Sequence, residues 1–328
     1  MEIIPARRKH SELIRRAFTE ERIFRRERHV DYLAQPGISD FHCHRILRSL
    51  RSHNPEVSHY LFLEKGSVKS FASIKPCAWH SQHFGCKYFK IQPLFFFTAD
   101  EASLDAVTKS LLQTLNKKDG DVYVTRIEAY NAALSYKMIE NGFIHAGSSI
   151  RMSQRLCAPS ASVDKKIKQK YDTLILRDFK RRDLPILEEI GRKNHVHSHF
   201  FCEIRFPRSC ASDLFAEWIR QCAGGMAQKV YVAEQGGEIA GFATLLTTSS
   251  LMPYINKRIG VIDFIVVDRR FQGQGVGRAL LQAAFSWFEG RVDIVELRTM
   301  ADNLQAIRFY ENNGFRILSA DHHLHYWT

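Results

Sequence analysis

Residues 261–282, VIDFIVVDRRFQGQGVGRALLQ, carry an apolar strand straight into a turn holding Gly273, Gly275 and Gly277 and out again as a helix. Glycine has no Cβ, so such a turn takes positive φ and aims successive N–H groups at one point. The helix adds its unpaired first amides and the positive end of its dipole to the same spot. The segment therefore predicts an α/β fold with a phosphate cradle at the end of a strand.

Two better-known glycine loops do not fit. A Walker loop needs four residues between its glycines and then Gly-Lys-Ser/Thr, which is absent. A dinucleotide fingerprint wants G-x-G-x-x-G with an acid about 20 residues further on. Here the spacing is G-x-G-x-G, and a long amphipathic helix (Leu280, Leu281, Ala284, Phe285, Phe288) leads to a strand at 294–297. A purely structural tight turn is the remaining alternative.

The downstream pattern decides among these. Gln272-x-x-Gly275-x-Gly277-Arg278-Ala279-Leu280-Leu281 behind a strand resembles the acyl-CoA pyrophosphate loop of the GNAT acyltransferase superfamily. The superfamily order continues with strand 295–300, Asn303, helix 304–311, the stop Asn312-Asn313-Gly314-Phe315 and a last strand. The resemblance covers residues 165–328 and implies the order β-α-α-β-β-β-loop-α-β-α-β. Strands are expected at 173–176, 230–234, 239–247 and 258–267, and helices at 184–191 and 212–222. Gly236-Gly237 marks a hairpin.

The resemblance also implies roles. The thioester would lie along Ile265, Val266 and Val267, whose N–H groups hold the pantetheine and polarise the thioester carbonyl. The pyrophosphate would take the amides of Gln272, Gly273, Gln274, Gly275, Val276 and Gly277, with Arg278 adding charge. Asn303 would cap the next helix and touch the pantetheine arm, capping alone being the alternative. Tyr310 stands where the family places the acid that protonates the departing thiolate; a core tyrosine on the face of Ile307 is the alternative. A base is not evident, and His197, His199 or Asp263 would anchor a water relay. By the same resemblance His197, His199, Arg205 and Phe206 fall in the loop that lines the acceptor pocket.

The first half of the chain repeats part of this pattern. Residues 126–143 and 298–315 both read strand, Asn, Ala, an aromatic residue, Glu-Asn, Gly-Phe, strand, a weak internal repeat. The small, polar stretch 157–166 between them has linker chemistry. No glycine loop separates Phe97 from Val122, only a polar helix over 101–115. The expectation is an α/β (α+β) protein of two GNAT-like domains, each a mixed, mostly antiparallel sheet flanked by helices. Residues 1–160 form a degenerate copy with a basic N-terminal extension, and residues 161–328 the catalytic copy with the single coenzyme A site.

Trp79-His80-Ser81-Gln82-His83-Phe84-Gly85 is similar to an element of sugar-nucleotide N-acyltransferases of the dTDP-fucosamine acetyltransferase and dTDP-3-amino-3,6-dideoxygalactose N-acyltransferase type, with His80 replacing an acid and His83 a Phe. The implied reaction moves an acetyl or 3-hydroxybutyryl group from coenzyme A to the amine of a dTDP-linked amino-dideoxyhexose, for O-antigen or capsule. Two other readings stay open. One is acetylation of a protein or peptide amine, and the other an idle GNAT scaffold that binds through its basic N-terminal region.

Composition bounds the partners. The 328 residues carry a formal charge of +12 with basic residues spread along the chain, which favours phosphorylated small molecules over nucleic acid. No apolar run approaches the roughly 18 residues of a membrane span, and the N-terminus has no leader-like apolar stretch, which predicts a cytoplasmic protein. Seven scattered cysteines without a C-x-x-C pair predict reduced thiols. The groups His42-Cys43-His44, His195/His197/His199 and His322/His323/His325 lack metal-ligand spacing, so no metal is expected, while a homodimer stays open.

Overall fold

The computed structural model describes residues 1–20, 35, 37–52, 54–115, 118–156 and 174–328, so the linker-like stretch 157–166 lies outside the described residues. The chain forms two compact units, residues 1–149 with 319–328 and residues 150–318.

The first unit begins with β1 (Glu2–Pro5), α1 (Ser11–Glu20), α2 (Gly37–Arg51), β2 (Ser58–Glu64), β3 (Ser67–Pro76) and α3 (Ala78–Phe84). It continues with β4 (Tyr88–Phe96), α4 (Glu101–Thr114), β5 (Val122–Glu128), α5 (Ala132–Glu140) and the start of β6 (Ile144–Arg155). The first 70 residues are not an extension. Their strands pair in register with the rest of the sheet, β1 on β2 and β2 on β3. The apolar stripe of α1, Ile14, Ala17 and Phe18, packs with Ile46 and Leu47 of α2 against Leu61 and Phe71. Of the described basic residues on these two helices, Arg15, Arg16, Arg45, Arg48 and Arg51 are exposed, away from that stripe, as helical periodicity requires. Nor is α4 polar throughout: Leu104, Val107 and Leu111 are buried in the core of the unit.

The second unit contains β7 (Leu174–Asp178), α6 (Leu184–Asn194), α7 (His199–Cys202), α8 (Arg208–Gln221), β8 (Lys229–Gln235) and β9 (Glu238–Thr248). Then follow α9 (Met252–Ile255), β10 (Ile259–Val267), α10 (Val276–Phe288), β11 (Ile294–Met300), α11 (Leu304–Asn312) and β12 (Arg316–Trp327). The β8–β9 hairpin turns at Gly236 and Gly237, with φ of 59° and 84°. Strand order in this sheet is β7-β8-β9-β10-β11-β6.

Each sheet is completed by a strand from the other half of the sequence. From Ile150 onward β6 belongs to the second unit, next to β11, and from Ser319 onward β12 belongs to the first, antiparallel to β5. The internal repeat has a structural counterpart. Asn131 and Asn303 each accept a hydrogen bond from the amide three residues on, at 3.3 and 3.2 Å, and Gly142 and Gly314 end the two helices at φ of 97° and 92°. Both units also hold one parallel pair that opens into a fork. β4 pairs β5 only over Tyr88, Phe89 and Lys90, and β10 pairs β11 only from Ile259 to Ile262.

The forks differ. In the first unit the Thr125 hydroxyl donates to the Ile91 carbonyl at 2.9 Å and bridges the opening. The helix beyond it starts at Asp100, whose carboxylate accepts from the Ser103 amide at 2.8 Å, and Glu101 follows. Two carboxylates at a helix N-terminus occupy the position an incoming phosphate needs. The first unit thus keeps the scaffold without the phosphate cradle.

Candidate functional site

In the second unit the fork leads to the glycine turn. β10 lies antiparallel to β9 along its length, with a register shift between Ile262 and Phe264. Such a bulge places Asp263 and Phe264 on one face. Beyond Ile262 the other edge of β10 has left β11, so the backbone of Ile265, Val266 and Val267 borders the open fork. Ile265 and Val267 pack toward α10 and α11, and Val266 is buried.

The turn itself is held from both sides. Asp268 caps the short helical turn before it, accepting from the Arg270 amide at 3.0 Å. The side chain of Gln272 donates to the Val267 carbonyl at 3.1 Å, and that of Gln274 to the Arg270 carbonyl at 2.8 Å. Gly273 and Gly275 have φ of 76° and 84°, in the left-handed region that favours glycine. The Gln272 amide donates to the Arg269 carbonyl at 3.4 Å, and the next inward turn bond runs from the Ala279 amide to the Gly275 carbonyl at 3.0 Å. Between them, the amides from Gly273 to Arg278 precede the ladder of α10. Arg278 is exposed beside them. Gly277 joins the parts: a Cβ there would lie 3.6 Å from the Phe309 ring and 3.7 Å from Val267, so turn, strand and α11 meet.

Tyr310, on α11, is buried at 8% exposure, with its ring 5.1 Å from Phe309 and 5.5 Å from Phe315. Burial pushes its phenol well above the ordinary value, so it stays protonated. Asn303 caps α11 and lies at the mouth of the fork, following β11.

The histidines separate. His195 ends α6 with its ring 4.0 Å from Phe215, and burial, with a smaller contribution from His197, lowers its pKa to about 4. His197 turns outward to the Asp302 carboxylate at 3.2 Å, beside Asn303 in sequence. His199 opens α7 with its ring 3.9 Å from Phe200. Phe206 is buried at 3% exposure, whereas Arg205 is exposed, its amide donating to Glu203 at 3.1 Å. The His197 hydrogen bond ties the loop to the α11 end of the fork. Among the described residues no three His, Cys, Asp or Glu side chains are placed to hold a metal.

Two carboxylates stand at the fork. Asp263, at the bulge, accepts from the Cys222 thiol at 3.4 Å, and burial raises its pKa. Glu296 lies opposite Val261 on β11, one residue before Leu297 of the core, and so faces the same side as Asp263. Burial pushes its carboxyl up to about 7, with the Arg298 charge opposing. Sequence reading missed Glu296 because a lone Glu in VELRTM looks like the solvent face of a strand; the signal was its place opposite Val261 in a parallel pair.

A forked parallel pair thus delivers one strand to an amide-lined turn that can take a phosphate. Residues 195–315 match the acetyltransferase (GNAT) family. The chain is 26% identical over 146 residues to the spore coat polysaccharide biosynthesis protein SpsD of Bacillus subtilis (strain 168), a match covering 44% of this chain and 48% of that protein. The chain thus spans about half the length of that relative. Two solved structures share the whole fold. A GCN5-related N-acetyltransferase from Sphaerobacter thermophilus has a TM-score of 0.59 at 14% identity, covering 99% of this chain and 95% of its own. A tandem GNAT protein from the clavulanic acid biosynthesis pathway has 0.54 at 13%, covering 99% and 98%. Part of the second unit is thus similar to GNAT acetyltransferases, and the fold of the chain is like that of these two structures.

Proposed function

We infer that the chain is an acyl-CoA-dependent N-acyltransferase whose acceptor is the amine of a nucleotide-linked amino sugar. The carrying observation is the run of amides from Gly273 to Arg278 at the mouth of the β10/β11 fork. A pyrophosphate held there puts the pantetheine arm along Ile265, Val266 and Val267, where the unshared strand edge supplies N–H donors for the thioester carbonyl. Coenzyme A, loaded with acetyl or 3-hydroxybutyryl, supplies the activated acyl group. No helix among the described residues is long and apolar enough to cross a membrane, and a cytoplasmic setting suits this donor.

The acceptor amine must be neutral when it attacks. Glu296, with its carboxyl near neutrality, takes the proton directly or through water, and Asp263 beside it holds that face polar. Tyr310, protonated at any working pH, hands a proton to the departing thiolate. His197 and Arg205 flank the acceptor side, with Phe206 behind them. The amino sugar is supported by the likeness to a spore coat polysaccharide biosynthesis protein and by the element at 79–85. A dTDP-linked 3-amino or 4-amino dideoxyhexose is the favoured acceptor.

The test is thiol release from acetyl-CoA and 3-hydroxybutyryl-CoA against a panel of dTDP-amino sugars, with peptide amines as the competing panel. Release with an amino sugar and none with peptides is expected. Release with peptides alone would replace the sugar by a protein acceptor, and silence in both panels would overturn the transferase reading.

A further inference from the structure

A thiol, an imidazole and an amine converge in the first unit, away from the glycine turn. Cys77 sits between β3 and α3, its backbone N–H donating to the Tyr88 carbonyl at 2.8 Å. Its sulfur lies 2.7 Å from Nδ1 of His80, one turn along α3. His80 is 4% exposed, sandwiched between Tyr88, whose ring is stacked 4.5 Å away, and Trp79 at 4.9 Å. On β4, Lys90 stands two residues past Tyr88, the residue that Cys77 bonds, and opposite Lys75, two residues before Cys77. Cys77 and Lys90 are both partly exposed, so a small molecule can reach them.

The electrostatics make this amine unusual. Strand register sets Lys75 directly opposite Lys90, and like charges so placed repel. Burial first, then the charges of Lys75 and Arg126, lower the pKa of Lys90, although the Cys77 sulfur opposes this. His80 is held down to about 3 by burial, with Lys90 and His83 adding to it, so its ring is neutral and orients the sulfur without charging. Packing accounts for the ring stack of His80 but not for a thiol held on an imidazole nitrogen with a pair of opposed lysines next to it.

We propose that Cys77, His80 and Lys90 form an acyl-accepting site, in which the Cys77 thiol takes an acyl group from a small acyl thioester and passes it to the Lys90 amine. One proton moves from the thiol to the amine. The Cys77 thiolate attacks the thioester carbonyl, the donor's carbon–sulfur bond breaks, and the donor thiolate takes the proton back from the Lys90 ammonium. Lys90 is then neutral beside an S-acyl cysteine. Its nitrogen attacks that carbonyl, the Cys77 carbon–sulfur bond breaks, and the amine proton returns to the Cys77 sulfur. The net change is one thioester and one lysine amine converted to one amide and one free thiol. The amide cannot take up a proton, so acylation removes the amine whose charged form Lys75 repels. His80 is a positioning residue.

The test incubates the full chain with acetyl-CoA and, separately, with S-acetyl-N-acetylcysteamine, followed by peptide mass mapping. One acetyl group on Lys90 is expected with either donor. Cys77→Ser should slow it roughly tenfold or more, the loss expected when an intramolecular transfer becomes bimolecular. Lys90→Gln should leave an acetyl thioester on Cys77 that hydroxylamine discharges. His80→Asn should shift the pH profile of Cys77 alkylation by iodoacetamide, which loss of packing alone leaves in place. An unmodified Lys90 with both donors, or equal acetylation in Cys77→Ser with an unchanged thermal midpoint, overturns the proposal. The synthetic thioester needs no coenzyme A loop, so this outcome is independent of whether the second unit transfers to amino sugars.

Discussion

Gly241 and Val266 approach so closely that a Cβ on the glycine would stand 2.6 Å from the valine carbonyl oxygen, and 3.2 Å from Cα of Val267. The obstacle is backbone, so a side chain at 241 must displace β10, the strand proposed to hold the thioester. Gly241→Ala should therefore destabilise the chain by about 1–3 kcal/mol, as other overpacked sites do. It should also lower kcat/KM for acetyl-CoA by roughly tenfold, a fraction of the penalty known for misplaced reacting groups. Thermal unfolding and initial rates measure the two effects; a destabilised variant with normal kinetics would move the acyl group off this strand.

Gly275 tests the cradle. At φ 84° it opens α10 in the left-handed region, where a β-carbon costs about 1–2 kcal/mol. Gly275→Val should raise the KM for acetyl-CoA at least tenfold, while the fold, held by the α10 core, survives. Isothermal titration with coenzyme A and circular dichroism separate the two, and unaltered affinity would remove the turn from the donor site.

Tyr310→Phe keeps the ring contacts with Phe309 and Phe315 and deletes only the hydroxyl. If Tyr310 is the acid, kcat should fall about 100-fold, within the range of general acid catalysis, with coenzyme A affinity and thermal midpoint unchanged. A stability loss with normal kcat would make it a core tyrosine.

Much of this site was legible in sequence, because the glycine spacing, Asn303 and the Asn-Gly-Phe stop are local signals. The succession of elements in the second unit followed the expected pattern too, with ends shifting by a few residues: the strand expected at 173–176 runs Leu174–Asp178 and the helix expected at 212–222 runs Arg208–Gln221. The exchange of β6 and β12 was not legible, since pairing between distant segments leaves no periodicity in either. Nor was the integration of residues 1–70, where exposed arginines hide the buried stripe of Ile14, Ala17 and Phe18. The separation of His195 from His197 depends on where α6 ends, a boundary that sequence sets only loosely.

Glu296 makes a prediction with a sign. Its folded-state pKa, about 7, lies above the ordinary 4.5, so the folded chain binds this proton more tightly than the unfolded one. Its contribution to stability is present at low pH, declines as pH rises between about 4.5 and about 7, and is level above that. Glu296→Gln should remove this decline, leaving the variant more stable than the parent at pH 8. As a base, Glu296 works deprotonated, so kcat/KM should rise with pH through about 7 and level off. The Gln variant should lose that limb and roughly 100-fold of the plateau. A pH profile identical in both proteins would transfer the role to Asp263 or to water.

The last ten residues should decide whether the first unit folds. Residues 321–327 pair with β5 in continuous register, Leu324 and His325 are fully buried, and the Thr328 amide and carbonyl bond Asp121 and Gly120 at 3.0 and 2.9 Å. Deleting 319–328 strips β5 of one neighbour and exposes Ile127 and Tyr123 of the core. A central strand turned into a long apolar edge is an aggregation site. The truncated chain should therefore lose the protease resistance of residues 1–149, and adding the missing strand as a peptide should restore part of it. Full resistance without the strand would mean that β1 to β5 are self-sufficient and that the exchange is dispensable for folding.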